Sequence, residues 1–443
     1  MERKKLQFSR LIAIAFIALT CTCCGGSWTS SSNAPLPPAV PLPVNEQANA
    51  LAIRYLEDKV KQNPEDFVAY TKLAGYYLER QRETGSQDYI QLAARAARSS
   101  LSVLPAEMNF GGLTVLAQVE FASHNFSATR DHARKLIEMN RTKATGFQIL
   151  GDSLMELGDY TEAILAINSA QQLAGKSVAV ETRLGRLALL RGQIDTAISH
   201  FSDATILASD SATPSRETVA WCRWQLGEAA FSKGDYATAE RYYNDSLITF
   251  PDYYRALSSL GRTFYARGDL TSAIEHYERA VRIVPEVTFV AALGDLYKLA
   301  GRGREASTQY ALVEQIARLS KTAGTLYDRQ IALFYADHDL KTEEAYTIAA
   351  KEYEIRRDIY GADTLAWAAL KAGKIAEAQS AIKEALKLGT KDAKLFYHAG
   401  MIAKAGGDMT SARDYLSRAI KLNPQFDPLQ SQIAKQTLEE INS

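Results

Sequence analysis

The chain reads as an all-α solenoid of about ten helix–turn–helix units, and three observations predict it. Small residues recur at nearly fixed intervals: Ala117, Gly151, Gly185, Gly227, Gly261, Gly294, Ala366 and Gly400 stand 34, 34, 42, 34, 33, 72 and 34 residues apart. Ala332 divides the 72 into 38 and 34. A Gly-Asp pair recurs between them, at Gly158-Asp159, Gly234-Asp235 and Gly268-Asp269. Apolar residues fall at helical spacing around each pair. A 34-residue period means stacked helical hairpins rather than one globular core. The question therefore moves from which residue catalyses to which surface the stack presents.

The N-terminus is an address. Residues 1–10 carry Arg3, Lys4, Lys5 and Arg10, and Leu11–Leu19 follows as LIAIAFIAL. A basic head, a short apolar run and small residues make an export signal over 1–24. The apolar run is well short of the roughly 20 residues that cross a bilayer. Ala18-Leu19-Thr20-Cys21 resembles the lipobox of bacterial lipoproteins, which implies acylation of Cys21. The family usually has Gly, Ala or Ser where Thr20 stands; Cys23 and Cys24 are alternative acceptors, and a plain secretory signal is the alternative reading. Residues 25–45 hold Gly and Ser and then five prolines in ten residues. That composition predicts a flexible and then extended tether that need have no other role.

The folded body starts with a lone amphipathic capping helix within 46–66. The repeat array spans 67–424, and a second cap covers 425–443. The best-formed unit is Tyr254–Pro285. With Tyr254 as position 1 it has Leu260 at 7, Gly261 at 8, Phe264 at 11, Gly268 at 15, Ala273 at 20, Tyr277 at 24, Ala280 at 27 and Pro285 at 32. It resembles the tetratricopeptide repeat, except that Leu257 takes the place of the aromatic favoured at position 4. Gly or Ala at 8 and Ala at 20 belong where paired helices cross, because a larger side chain would hold them apart. Gly-Asp ends one helix and starts the next, and Pro at 32 stops the second.

This register places position 8 of ten units at Ala74, Ala117, Gly151, Gly185, Gly227, Gly261, Gly294, Ala332, Ala366 and Gly400. It predicts a lengthened turn over Arg80–Asp88 in the first unit. It also predicts a long loop at Ser209–Glu217 and a long second helix in the eighth unit, reaching about Arg357.

The resemblance implies a right-handed superhelix whose first helices line an inner groove through positions 2, 5, 9 and 12. In the fifth unit these are Trp221, Trp224, Glu228 and Phe231. In the sixth, Arg255, Ser258, Arg262 and Tyr265 occupy them. Trp367 falls on the same face in the ninth unit, and Tyr397 in the tenth. Trp, Tyr and Arg dominate binding hot spots because they bury large area and keep a polar handle. The expected site is thus a protein- or peptide-binding groove of Trp221, Trp224, Glu228, Phe231, Arg255, Arg262 and Tyr265. Packing of the tryptophans against the Ser209–Glu217 loop is the competing reading. Carboxylate-clamp repeats need a Lys/Asn/Lys/Arg set at positions 2, 5, 6 and 9 of consecutive units, and no three units here present it.

Other chemistry is sparse. Lys and Arg balance Asp and Glu at 51 each, so no overall field favours nucleic acid. Six scattered histidines and one body cysteine, Cys222, make no metal set. No cofactor motif or nucleophile elbow occurs. His276 is expected on a solvated helix face, and Asp235, Asp269 and Asp408 as helix caps. The function these features imply is a non-enzymatic scaffold of the bacterial cell envelope, touching the membrane only through an N-terminal lipid. Its alternatives are a lipoprotein part of an outer-membrane assembly or trafficking machine, or a soluble periplasmic or secreted adaptor. A glycan-acting helical solenoid is the enzymatic alternative, and it would need a carboxylate pair in a cleft.

Overall fold

The computed structural model describes residues 35–42, 46–323 and 328–443. The export signal and the cysteines at 21, 23 and 24 lie outside the described residues. Among the described residues every regular element is an α-helix. A lone helix, α1 (Glu46–Gln62), precedes ten helical hairpins. Units one to three are α2 (Phe67–Thr84) with α3 (Asp88–Val103), α4 (Phe110–Ala122) with α5 (Phe126–Met139), and α6 (Ala144–Leu157) with α7 (Tyr160–Ala174). Units four to six are α8 (Val178–Leu190) with α9 (Ile194–Ser209), α10 (Arg216–Ser232) with α11 (Tyr236–Thr249), and α12 (Tyr254–Ala266) with α13 (Leu270–Ile283). Units seven and eight are α14 (Val287–Leu299) with α15 (Gly303–Ala323), and α16 (Asp328–Asp337) with α17 (Thr342–Ile355). Units nine and ten are α18 (Ile359–Lys371) with α19 (Ile375–Leu386), and α20 (Ala393–Ala405) with α21 (Met409–Leu422); α22 (Gln430–Asn442) closes the series.

The turns form as their residues dictate. Gly158, Gly234 and Gly268 sit at φ of +79°, +75° and +87°, where a side chain would be strained. The aspartate after each glycine then caps the next helix: Asp159 accepts from the Glu162 amide, Asp235 from Thr238 and Asp269 from Ser272. Asp408 caps α21 in the same way through Ser411.

Within a unit the glycine at position 8 lies against the residue sixteen further on. A Cβ on Gly261 would stand 2.5 Å from the Tyr277 ring, and one on Gly294 2.6 Å from Tyr310. Gly151, Gly185, Gly227 and Gly400 meet Ile167, Phe201, Tyr243 and Leu416 likewise. Where alanine replaces the glycine, the residue sixteen on is Ile90, Ala133, Ile348 or Ile382, never an aromatic. The four aromatic partners, Phe201, Tyr243, Tyr277 and Tyr310, thus all stand against glycine, as a close-packed crossing requires.

Two local expectations are corrected. The extra residues after Arg80 extend α2 by about a turn instead of lengthening the loop, because Leu78, Arg80 and Glu83 continue its packed face. The long second helix belongs to unit seven, where α15 runs for 21 residues, while α17 has 14. Asp358 ends the run after α17 by capping α18, accepting from the Tyr360 and Gly361 amides.

The stack also touches itself across long sequence distances. The turn of unit one approaches the linker after unit six, with Gly85 against Val284. The turn of unit three meets the linker between units eight and nine: the Ile359 amide donates to the Tyr160 hydroxyl at 2.8 Å, and Arg356 pairs with Glu156. In unit four, Leu190 O accepts from the Thr390 hydroxyl, in the linker between units nine and ten. In unit five, Phe231 O accepts from Asn423 Nδ2 at 2.8 Å, while the Tyr236 hydroxyl donates to Asn423 Oδ1 at 2.6 Å. Successive superhelical turns therefore rest on one another at a constant offset. The Pro35–Leu42 segment, expected to be a free spacer, is seated on units four and five; Leu36 packs with Phe201 and Leu226.

Candidate functional site

The first helices of units five, six and seven enclose a cavity of about 270 Å³. Trp224 and Glu228 enter it from α10, Arg255, Ser258, Ser259 and Arg262 from α12, and Thr288 and Phe289 from α14. Glu286, just before α14, and Tyr277 of α13 complete the lining. All the α10 residues and three of the α12 residues stand at positions 2, 5 and 9. Helical spacing puts these three positions on one face, and the stacking of first helices brings three such faces together.

A hydrogen-bonded chain fixes the floor. The Trp224 indole donates to Ser259 Oγ at 2.9 Å, and Ser259 donates to Glu228 Oε1 at 2.8 Å. Glu228 also accepts from the Tyr243 hydroxyl and from Arg262 Nη2, each at 2.7 Å. Burial would raise the Glu228 carboxyl, but the Arg262 charge and these donors outweigh it and hold it below the usual carboxylate range. The same carboxylate keeps Arg262 firmly charged against the cost of its burial. The Arg262 guanidinium lies 3.8 Å from the Phe231 ring centroid, and its Nε has no partner.

Arg255 is held differently. Its guanidinium lies 5.6 Å from the Trp224 ring and 5.1 Å from the Tyr254 ring. The half-buried Trp224 ring and the fully buried Tyr254 ring thus steady a cation at the cavity wall. Burial raises the Glu286 carboxyl across the cavity, with the Arg255 charge opposing. The pocket joins an aromatic face, a cation and several hydroxyls, which suits a peptide segment carrying carbonyl or carboxylate groups.

Of the residues expected in the groove, Trp224, Glu228, Arg255 and Arg262 come together here. Trp221 lies on the flank, edge-on to Phe201 and 6.5 Å from Trp224. Phe231 is buried beneath Arg262. Tyr265 is engaged by the next superhelical turn, its hydroxyl donating to Pro428 O at 3.0 Å. Trp367 is also buried: its indole donates to Asp337 at 2.8 Å and its ring stacks 4.3 Å from His398. Tyr397 is buried beside it. Sequence reasoning missed Glu286 and Ser259, since the first lies in a linker outside the repeat register and the second at position 6.

A second cavity, of about 320 Å³, lies among the first helices of units one to four. Leu78, Phe121 and Ile149 give it an apolar wall. Arg183 spans one side, bonded to Asp152 at 2.5 Å and to Gln148 O. Leu78 and Phe121 stand at position 12, and Gln118 and Asp152 at position 9, so the register puts them on the same inner face.

His276 is half-buried rather than solvated, its ring 4.9 Å from Phe264 and its Nδ1 2.8 Å from Ser272 O. Cys222 is a free, fully buried thiol, and burial pushes its pKa up. Among the described residues no group of three or more His, Cys, Asp or Glu side chains converges as a metal site. Among the same residues no helix is long and apolar enough to cross a membrane.

Comparison with known families agrees with the periodicity. One tetratricopeptide repeat profile matches residues 225–287 and 364–425, and a second matches 176–247. The chain is a tetratricopeptide repeat protein. No curated protein matches its sequence. Among solved structures it is similar to PilW, a widely conserved type IV pilus biogenesis factor, at 17% identity over 46% of this chain and 92% of that one, with a TM-score of 0.40. It is similar to MamA at 18% identity over 38% and 94%, TM-score 0.30. It is also similar to human IFIT1, solved as a dimer with PPP-AAAA, at 15% identity over 85% and 87%, TM-score 0.46. Positions 5 and 9 of unit five, positions 2, 5 and 9 of unit six and position 2 of unit seven line the cavity described above.

Proposed function

We propose that this chain is a non-enzymatic interaction scaffold that holds a segment of a partner protein in the cavity between α10, α12 and α14. The observation that carries the reading is Arg255, steadied by two aromatic rings at the mouth of a pocket whose other arginine is already neutralised by Glu228. Arg262 and Glu228 build the floor, and Arg255 and Trp224 meet the ligand. A photo-crosslinking amino acid at exposed Thr288 tests this in cells. Adducts are expected there and not at exposed Glu275 on α13, and Arg255→Ala is expected to lower their yield. Equal yields at both positions would count against the cavity.

The same proposal places the scaffold at the bacterial cell envelope, carried by a lipid on Cys21. It rests on the basic head, the apolar run and the lipobox-like Ala18–Cys21 stretch. Mass spectrometry of the purified N-terminal peptide tests it, and an unmodified or uncleaved terminus would refute it.

A further inference from the structure

The segment Pro35–Leu42 reads PLPPAVPL. Four proline rings restrict φ to about −65° and bias the strand towards an extended form, so little entropy is lost when it docks. Its contacts are those of a bound peptide. Leu36 enters an apolar cluster with Phe201 and Leu226, beside the rings of Trp221 and Tyr242. The Pro37 carbonyl accepts from Arg223 Nη2 at 2.9 Å, and the Leu42 amide donates to Thr249 O at 3.4 Å. An aromatic-walled socket with a donor aimed at a proline carbonyl is how extended proline-rich ligands are held.

Two features show that the fit is incomplete. Arg223 stands at position 4, where the repeat favours an aromatic, and only 2% of it is exposed. Its nearest carboxylate is Asp245 at 3.6 Å, and its Nε has no partner. A cavity of about 210 Å³ also remains between Pro38 and Val40 of the strand and Val219, Arg223 and Thr249 of the solenoid. The site therefore has room, and a buried donor, that these small side chains leave unused.

We propose that this face of units four and five is a binding site for an extended, proline-rich segment of a partner protein, and that Pro35–Leu42 occupies it in cis. The cis strand has the advantage of a high effective concentration. A competing segment gains by filling the cavity with bulkier side chains than Pro38 and Val40 and by engaging Arg223. This site lies on a different part of α10 from Arg255 and its cavity, so either can fail without the other.

The test uses the full chain with residues 35–42 replaced by eight Gly and Ser residues, and a milder Leu36→Asp chain. Fluorescein-labelled PLPPAVPL is titrated against each by anisotropy, with helical circular dichroism confirming the fold. Both altered chains are expected to bind the peptide saturably and at least tenfold more tightly than the wild type. A peptide with Asp in place of the leucine equivalent to Leu36 is expected not to bind. Absence of binding by either folded variant, equal binding by wild type, or full binding of the Asp peptide would overturn the proposal. A wild-type dimer that dissociates when the strand is replaced would also overturn it, in favour of exchange between copies.

Discussion

The Tyr160 hydroxyl accepts a 2.8 Å hydrogen bond from the Ile359 amide, across 199 residues of chain. Tyr160 opens the second helix of unit three, and Ile359 opens the first helix of unit nine. This bond shows that the solenoid is not held by neighbours alone: each superhelical turn rests on the one before. Tyr160→Phe leaves that buried amide without its acceptor and is expected to cost about 1–3 kcal/mol. Hydrogen exchange is expected to speed up first at Ile359–Gly361 in unit nine, far from the substitution in sequence. Loss of protection confined to unit three would contradict the turn-to-turn contact.

A second prediction concerns packing within a unit. Gly261→Ala brings a Cβ to 2.5 Å from Tyr277 and 3.0 Å from the Ala273 carbonyl. The ring cannot retreat freely, because Tyr277 is buried in the core with Leu293 and Leu296. The expected cost is about 1–3 kcal/mol. In a stack of nearest-neighbour interfaces the damage should begin in units five to seven. Adding Tyr277→Ala removes the obstacle, so the double variant is expected to lose less than the sum of the two single changes. Strict additivity in denaturant unfolding would show that the two residues do not compete for one volume.

The sequence made the repeat legible because its architecture is local. The Gly261–Tyr277 spacing, the Gly268-Asp269 turn and the positions 2, 5 and 9 all depend on contacts within one unit or between neighbours. The misread position 12 residues have the opposite cause. Position 12 read as groove, yet Tyr265 is taken up by Pro428 and Phe231 lies under Arg262, with its carbonyl bonded to Asn423. Those contacts depend on the superhelical pitch, a sum of small rotations that no 34-residue pattern encodes. The proline-rich segment was opaque for a similar reason. Its composition predicts that it cannot fold alone, and its partner surface, with Arg223 and Thr249, lies some 200 residues away.

The cavity floor yields a third prediction. Glu228 gathers Ser259, Tyr243 and Arg262 on one oxygen, so Glu228→Ala strands three donors together. A broken, partly buried ion pair with lost hydrogen bonds is expected to cost about 2–4 kcal/mol. Trp224 also loses the ordered Ser259 that fixes its indole, so its emission is expected to shift to the red and to quench more readily with acrylamide. Arg255→Ala should leave stability nearly unchanged, since Arg255 lies against rings rather than in the network. Equal destabilisation by both changes would refute this division between floor and wall.

The fourth prediction is a pH dependence at the joint between units seven and eight. His338 Nε2 lies 2.7 Å from Asp295 Oδ1, and its Nδ1 lies 2.8 Å from Phe334 O. The rings of Tyr310 and Phe334 cover it, and the Asp337 charge acts on it from the adjoining position. Burial lowers its pKa, but the hydrogen bond and charge of Asp295 outweigh burial and raise it above the ordinary value of about 6.5. A raised folded value means that the folded state binds the proton more tightly than the unfolded chain. The resulting stabilisation is complete below about pH 6.5 and disappears as pH rises through the folded value. His338→Gln keeps a polar group of similar reach but cannot carry the charge. The difference in stability between wild type and variant is therefore expected to be largest near pH 6 and to shrink towards pH 9 in parallel urea titrations. A difference that grows with pH would mean that the ring is neutral when folded and that Asp295 does not hold its proton.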